Sequence, residues 1–212
     1  MKSLLSFAAS ALSPSPHECC LCQREAYLTG GYLCKECADT IRYAQNPAPP
    51  AETDGLFAGL IYDDAVAHAF YRFKTGERSL AAFFAFFLSI PESWQADVIT
   101  AVPLHPVKEW LRTYNQSELL ARAVSDASGL PFSDRLLRRT RYTSAQKSKT
   151  AVQRRSSLTG AFLANPALCR GKSIILVDDV TTTGSTLTAC AKALKKAGAV
   201  RVYGLCAAAV GR

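Results

Sequence analysis

An α/β protein built on a doubly wound, mainly parallel sheet, with a small N-terminal four-cysteine head, is the fold class this sequence predicts. Three observations carry the prediction. Ile174-Ile-Leu-Val177 is a run of four aliphatic residues that reads as a strand buried on both faces. From Leu56 to Ala209, apolar runs of strand length alternate with segments of helical period, as parallel strands joined by helical crossovers require. Two Cys-x-x-Cys pairs, Cys19/Cys22 and Cys34/Cys37, stand apart from that alternation near the start. With 212 residues, 49% of them apolar, the chain can fill one sizeable core and a small appendage.

At the start, Lys2 precedes Leu4, Leu5, Phe7, Ala8, Ala9, Ala11 and Leu12, a faint imitation of a signal peptide. The apolar part is short and broken by serines, so a short amphipathic helix is expected instead. In the head, each Cys-x-x-Cys pair can chelate a metal through a turn, and Gly30-Gly31 is the natural tip of a hairpin between the two. Cys19, Cys22, Cys34 and Cys37 together suit a closed, structural zinc site, with Arg24 and Lys35 softening the surplus negative charge. The alternative is disulfides in a secreted protein. A sugar-phosphate site of the kind Asp178 to Thr186 suggests belongs in a reducing compartment, which favours zinc. Cys20 is left over and could replace Cys19, although Cys19 gives the regular spacing. Cys169, Cys190 and Cys206 read as small buried hydrophobes.

A leading helix and head over 1–46, a linker over 47–55 and a main domain over 56–212 are the expected organisation. The linker is marked by Pro47, Pro49 and Pro50 and should be extended. Leu56 to Tyr62 reads as a strand. Asp63-Asp64 then caps a helix carrying Val66, Ala69, Phe70 and Phe73, which ends near Lys74-Thr-Gly76. In the next apolar segment, Leu80 to Leu88, Phe83, Phe84, Phe86 and Phe87 read as core. Base stacking is the poorer reading, because no Lys or Arg lies among them. Asp97 to Val102 is a strand ended by Pro103-Leu-His105-Pro106. His105 there is either a plain loop histidine or a ligand contact. A helix with Leu119, Leu120, Ala123 and Val124 on one face follows, and Gly129 closes it.

Between Arg135 and Val177 there is no acidic residue at all, against Arg135, Arg138, Arg139, Arg141, Lys147, Lys149, Arg154, Arg155, Arg170 and Lys172. A long polar loop in this stretch would order on a polyanion, or it is merely a solvated basic face. The net charge of +8 fits phosphate-rich ligands or nucleic acid without requiring either. Ala161 to Leu163 is a short strand, Asn165-Pro166 a turn, Gly198 a helix stop and Val200 to Ala209 a last buried strand. No apolar run is long enough to span a bilayer, and a cytoplasmic location is expected.

The chemistry concentrates after Val177. Asp178 and Asp179 come first, then Val180, Thr181, Thr182, Thr183, Gly184, Ser185 and Thr186, then Leu187, Cys190, Ala191 and Leu194 at helical spacing. A tight loop backed by a helix N-terminus attracts phosphate. Gly184 lets the backbone come close, and small hydroxyls add donors. The two carboxylates would repel that phosphate and suit sugar hydroxyls or a magnesium ion. The ligand so described carries a phosphate with a ribose beside it.

This run resembles the phosphoribosyl pyrophosphate (PRPP) signature of type I phosphoribosyltransferases. With the four-Cys head, Phe73-Lys74-Thr-Gly76, Val102-Pro103-Leu104-His105-Pro106, Arg112-Thr-Tyr114-Asn115-Gln116, and Arg139-Thr140 followed by Gln146 and Arg154, the whole chain resembles the ComF family, linked to natural competence. That family usually reads Arg-Gly-Phe-Asn-Gln where this chain has Thr113 and Tyr114, so a loop needing positive φ at Thr113 would be strained. The resemblance implies a zinc-ribbon-like head on a phosphoribosyltransferase-like domain. It makes Asp178 and Asp179 the catalytic pair, holding the ribose hydroxyls. Residues 180–186 would hold the 5′-phosphate, and Pro103, Leu104 and His105 the pyrophosphate, with magnesium bridging. Lys74, Arg112, Asn115, Gln116, Arg139, Arg141, Gln146, Lys147, Lys149 and Arg154 would supply phosphate or DNA contacts. The implied function is a DNA-uptake factor that binds PRPP and single-stranded DNA, with DNA-uptake or helicase-type protein partners. A genuine phosphoribosyltransferase of unidentified acceptor is the alternative, since no base-recognition hood is legible.

Overall fold

The computed structural model describes residues 17–45, 47–105, 113–140, 158 and 160–211. Two compact units divide between Arg42 and Tyr43. In the first, strands β1 (His17–Glu18) and β2 (Glu25–Ala26) form an antiparallel ribbon with Glu18 opposite Glu25. The chain turns back again at Gly30 and Gly31, both at positive φ, under a Thr29–Leu33 bridge. Helix α1 (Lys35–Thr40) follows. Among the described residues of this unit, Cys19, Leu21, Leu33 and Cys34 are the buried hydrophobic side chains, too little apolar surface to hold a fold without a staple.

The second unit is built on a four-stranded sheet. Its order is β3 (Gly55–Ile61), β8 (Arg201–Ala209), β7 (Ser173–Thr181), β4 (Val98–Ala101), and every pair is parallel. Parallel strands are buried on both faces, and β7 shows why its sequence is uniformly aliphatic. Ile174 and Leu176 pack with Leu187, Cys190, Ala191 and Leu194 of helix α6 (Ser185–Lys196) and with the antiparallel pair β5 (Leu137–Arg139) and β6 (Phe162–Ala164). Ile175 and Val177 point the other way by the period of two, and they are equally buried.

Helix α2 (Asp64–Thr75) starts as its sequence prescribes: the Asp63 carboxylate accepts from the Val66 N–H at 3.1 Å, and Val66, Ala69, Phe70 and Phe73 are buried. In α3 (Leu80–Phe86), Phe83 and Phe84 are buried, as is Phe87 just beyond it, while Phe86 is 60% exposed. Residues 83, 84 and 87 share a helix face and 86 falls outside it, so the phenylalanine run is core on one side only. Helix α4 (Gln116–Ser128) buries Gln116, Ser117, Leu120, Ala121 and Val124 and ends at Gly129 in the left-handed region. Of the expected face, Leu120 and Val124 are buried while Leu119 and Ala123 are half-buried, so the inner face is turned slightly toward Gln116, Ser117 and Ala121. After β6 the chain makes a single helical turn, α5 (Pro166–Cys169), begun by Asn165. The Pro/Ala-rich stretch is held against this unit: Asp54 accepts from the Val202 N–H at 2.8 Å and from Lys195 at 3.2 Å.

Thr113 has φ 63°. A β-branched residue there carries roughly 1–2 kcal/mol of strain. Three contacts hold the bend. Arg78 donates to the Thr113 carbonyl at 3.4 Å and hydroxyl at 3.3 Å, its guanidinium lies 4.6 Å over the Tyr114 ring, and the Tyr114 hydroxyl donates to the Phe73 carbonyl. Thr113→Gly should therefore raise stability by about 0.5–1 kcal/mol in urea unfolding, the strain relieved exceeding the entropy a glycine adds to the unfolded chain. A loss of stability instead would show that the Arg78–hydroxyl contact outweighs the strain.

Candidate functional site

The acidic pair lies inside a strand rather than after it. β7 continues past Val177 to Thr181, with Asp178 opposite Cys206 and Val180 opposite Ala208. Asp178 is 8% exposed. Its Oδ1 accepts from the Ser117 hydroxyl at 3.1 Å and from the Asp179 N–H at 2.9 Å. Burial pushes its carboxyl up to about 7, with the adjacent Asp179 adding to the rise. The Asp179 N–H, Ser117 and Lys74 act against it. Asp179 Oδ1 accepts from the Val180 N–H at 2.7 Å, and its Oδ2 pairs with Lys74 Nζ at 2.7 Å. The end of α2, the start of α4 and the end of β7 thus meet at two carboxylates.

The hydroxyl-rich loop follows. Gly184, at φ 70°, precedes the first residue of α6. A Cβ there would lie 2.4 Å from Cγ of Pro50, so only glycine fits. Thr181 and Ser185 are buried, Val180, Thr183 and Thr186 half-buried, and Thr182 exposed. The Thr183 and Ser185 hydroxyls hydrogen-bond at 2.7 Å. Helix α6 carries no acidic residue in its first turn and two lysines in its last, the arrangement that leaves an N-terminus favourable to an anion.

Pro103, Leu104 and His105 follow β4, all half-buried. Pro103 and Leu104 line a cleft of about 240 Å³ together with Asn115, Glu118, Asp134, Arg138 and Arg139. Asn115 works inward: its amide donates to the Val102 carbonyl at 3.0 Å and its oxygen caps the Ser117 N–H at 3.1 Å. It braces the loop after β4 against α4, and Gln116 beside it is buried. The Arg139 guanidinium sits 5.3 Å from the Phe162 ring centre. Burial pulls its pKa below the ordinary value, while Cys190 and Asp178 oppose that. Arg112, Arg141, Gln146, Lys147, Lys149 and Arg154 lie outside the described residues. Sequence reasoning missed Ser117, Glu118 and Asp134, and gave Arg138 only as one of the basic residues of the acid-free stretch. Ser117 reaches Asp178 across 61 positions, so nothing local announces it.

In the first unit the sulfurs of Cys19, Cys22, Cys34 and Cys37 all lie within 4.8 Å of one another. The Cys22–Cys34 separation is 3.7 Å, close to the roughly 3.8 Å that four bonds of about 2.3 Å to one tetrahedral zinc impose. The donor set therefore fits a metal ion and uses Cys19, not Cys20. The Arg24 backbone N–H and guanidinium hold the Cys22 thiol down to about 6, while burial and the neighbouring sulfurs push Cys37 well up. Four sulfurs this close cannot all ionise unless a cation joins them. Arg24 also pairs with Glu36, and Lys35 with Asp39 at 2.6 Å.

Comparison with known proteins adds to this geometry. The family model for the phosphoribosyl transferase domain matches residues 115–212. Over 124 residues the chain is 36% identical to Competence protein F of Haemophilus influenzae, covering 56% of this chain and 51% of that protein. Over 112 residues it is 37% identical to DNA utilization protein YhgH of Escherichia coli, covering 52% and 49%. Over 140 residues it is 31% identical to Competence protein ComFC of Streptococcus pneumoniae, covering 65% and 60%. The chain spans about half the length of the first two of these relatives. Among the described residues, no helix is long and apolar enough to cross a membrane.

Proposed function

Because this chain carries a phosphoribosyltransferase domain and is homologous to Competence protein F, ComFC and YhgH, we propose that it binds PRPP with magnesium and single-stranded DNA, and acts in the cytoplasm in DNA uptake. The observation that carries the reading is the junction of a carboxylate pair with a hydroxyl-rich loop at a helix N-terminus. Asp178 and Asp179 accept the ribose hydroxyls. The loop from Thr181 to Ser185 takes the 5′-phosphate on backbone N–H groups and hydroxyls. The pyrophosphate lies toward Pro103 and Leu104, where Arg138 and Arg139 neutralise it. Magnesium enters with the diphosphate, and Glu118 and Asp134 of the same cleft suit its waters. When bound, the ion supplies charge neutralisation at the leaving group.

Zinc in the Cys19/Cys22/Cys34/Cys37 set makes the head a closed structural module. DNA phosphates fall to the acid-free stretch from Arg135 to Lys172, and the protein partners are DNA-uptake or helicase-type proteins. A second reading, transfer of phosphoribosyl to an unidentified acceptor, is favoured by the intact carboxylate pair. Catalysis would then rest on positioning and charge neutralisation of a cationic sugar.

PRPP with magnesium at a hundredfold excess over its dissociation constant should stabilise the wild type by about 2.7 kcal/mol, read as a melting shift of several degrees. A melting curve unmoved by PRPP would sink the site assignment. Binding of a single-stranded oligonucleotide should weaken steeply with salt. Pyrophosphate release that depends on one acceptor, with salt-insensitive DNA binding, would favour the transferase.

A further inference from the structure

Resting on the PRPP reading and deepening it, we propose that Lys74 is an exchanging counter-ion that makes ribose recognition conditional on the diphosphate. In the free protein the carboxylate of Asp179 is already satisfied from within. Its Oδ1 accepts from the Val180 N–H at 2.7 Å and its Oδ2 is held by Lys74 at 2.7 Å. Asp178 Oδ1 is likewise taken, by Ser117 and the Asp179 N–H. A ribose diol that turns to Asp179 Oδ2 therefore meets an ammonium already on it.

Lys74 is built to leave. It sits in the last turn of α2, one residue before the helix ends at Thr75, and Gly76 follows at φ 140°. Its ammonium lies 5.5 Å from the Phe70 ring centre, an aromatic face along which a cation can swing while keeping a favourable contact. Lysine, unlike arginine, is a compact charge with rotatable donors on a flexible stem. Both partners of the ion pair are mostly buried, with side chains 27% and 18% exposed.

That burial sets the rule for ligands. One that offers only a diol must push the ammonium off Asp179 and strand it in a poorly hydrated site. An anion alone must draw the ammonium away and leave the carboxylate bare. A ligand with both groups performs an exchange: its hydroxyls replace the ammonium on Asp179, and the ammonium passes to a phosphate oxygen. The substrate class so selected is a ribose with a free 2′,3′-diol and a diphosphate at C1. Ribose 5-phosphate and free pyrophosphate each fail half of the exchange.

The test is a set of calorimetric titrations with PRPP, ribose 5-phosphate and pyrophosphate, each with magnesium, on the wild type and Lys74→Met. The wild type should prefer PRPP over ribose 5-phosphate by at least a hundredfold. In Lys74→Met, PRPP should weaken at least tenfold while ribose 5-phosphate holds or gains, so the preference narrows at least tenfold. Lys74→Gln, which keeps a donor toward Asp179 without charge, should give the same narrowing and serves if the methionine variant melts without cooperativity. Equal weakening of both sugars would overturn the exchange and make Lys74 a scaffold residue. A wild type that binds none of the three would overturn the PRPP reading itself.

Discussion

Asp178→Asn should make the free protein more stable at neutral pH while weakening its response to PRPP. The carboxyl of Asp178 is raised from 3.8 to about 7 in the folded protein, chiefly by burial. Between those values the native state keeps a proton that the unfolded chain releases. The group's contribution to stability is therefore complete below about pH 4, falls as pH rises toward 7, and is flat above it. Asparagine imitates the protonated form at every pH. The difference in stability, variant minus wild type, should be near zero at pH 4 and reach on the order of 4 kcal/mol above pH 7. Urea unfolding of both proteins across that range measures it. The same variant loses an anionic acceptor for a ribose hydroxyl, and its PRPP affinity should fall at least tenfold. A difference that stays flat with pH, or an asparagine variant less stable at pH 8, would mean that ionised Asp178 supports the fold.

Cys34→Ser should release the metal and unfold the first unit while sparing the second. Cys34 is buried among the other three sulfurs, and a structural zinc contributes an apparent 10–16 kcal/mol or so at neutral pH. The residues between His17 and Arg42 cannot replace that with apolar burial, since Leu21 and Leu33 are the only buried aliphatic side chains described there. Elemental analysis should find about one zinc per wild-type chain and none in the variant. Trypsin should then cut rapidly after Arg24 and Lys35. The PRPP-induced melting shift should persist, because the carboxylate pair and its loop belong to the other unit. A variant that keeps a full equivalent of zinc would show the ligand set to be wrong.

The legible parts of the sequence were those governed by local pattern. The aliphatic run of β7, the stripe Leu187, Cys190, Ala191, Leu194 and the Asp63 cap all emerge as read, because period and capping chemistry act over a few residues. The parallel sheet followed from alternation of element types. Less was readable where geometry is set at a distance. β5 is three residues long, two of them arginines, and exists because β6 pairs with it. The strand character of Asp178 and Asp179 comes from pairing with β8, which a polar dipeptide cannot declare. Ser117 and the grip of Lys74 on Asp179 are products of topology. At Thr113 a departure from a family pattern did locate real backbone strain, since a glycine preference reports φ directly.

Pro50 also bears on how the molecule can be divided. Its ring rests on Gly184, the residue that opens helix α6, and Asp54 ties the same stretch to Val202 and Lys195. Upstream, the Ala44 N–H donates to the Gly59 carbonyl at 3.1 Å, and Tyr43 bridges to Leu60. A fragment that begins at Leu56 would therefore strip the cover from the Gly184 turn and free an edge of β3. The piece to take for dissection, display or fusion begins at Tyr43, with the proline stretch travelling as part of the second unit.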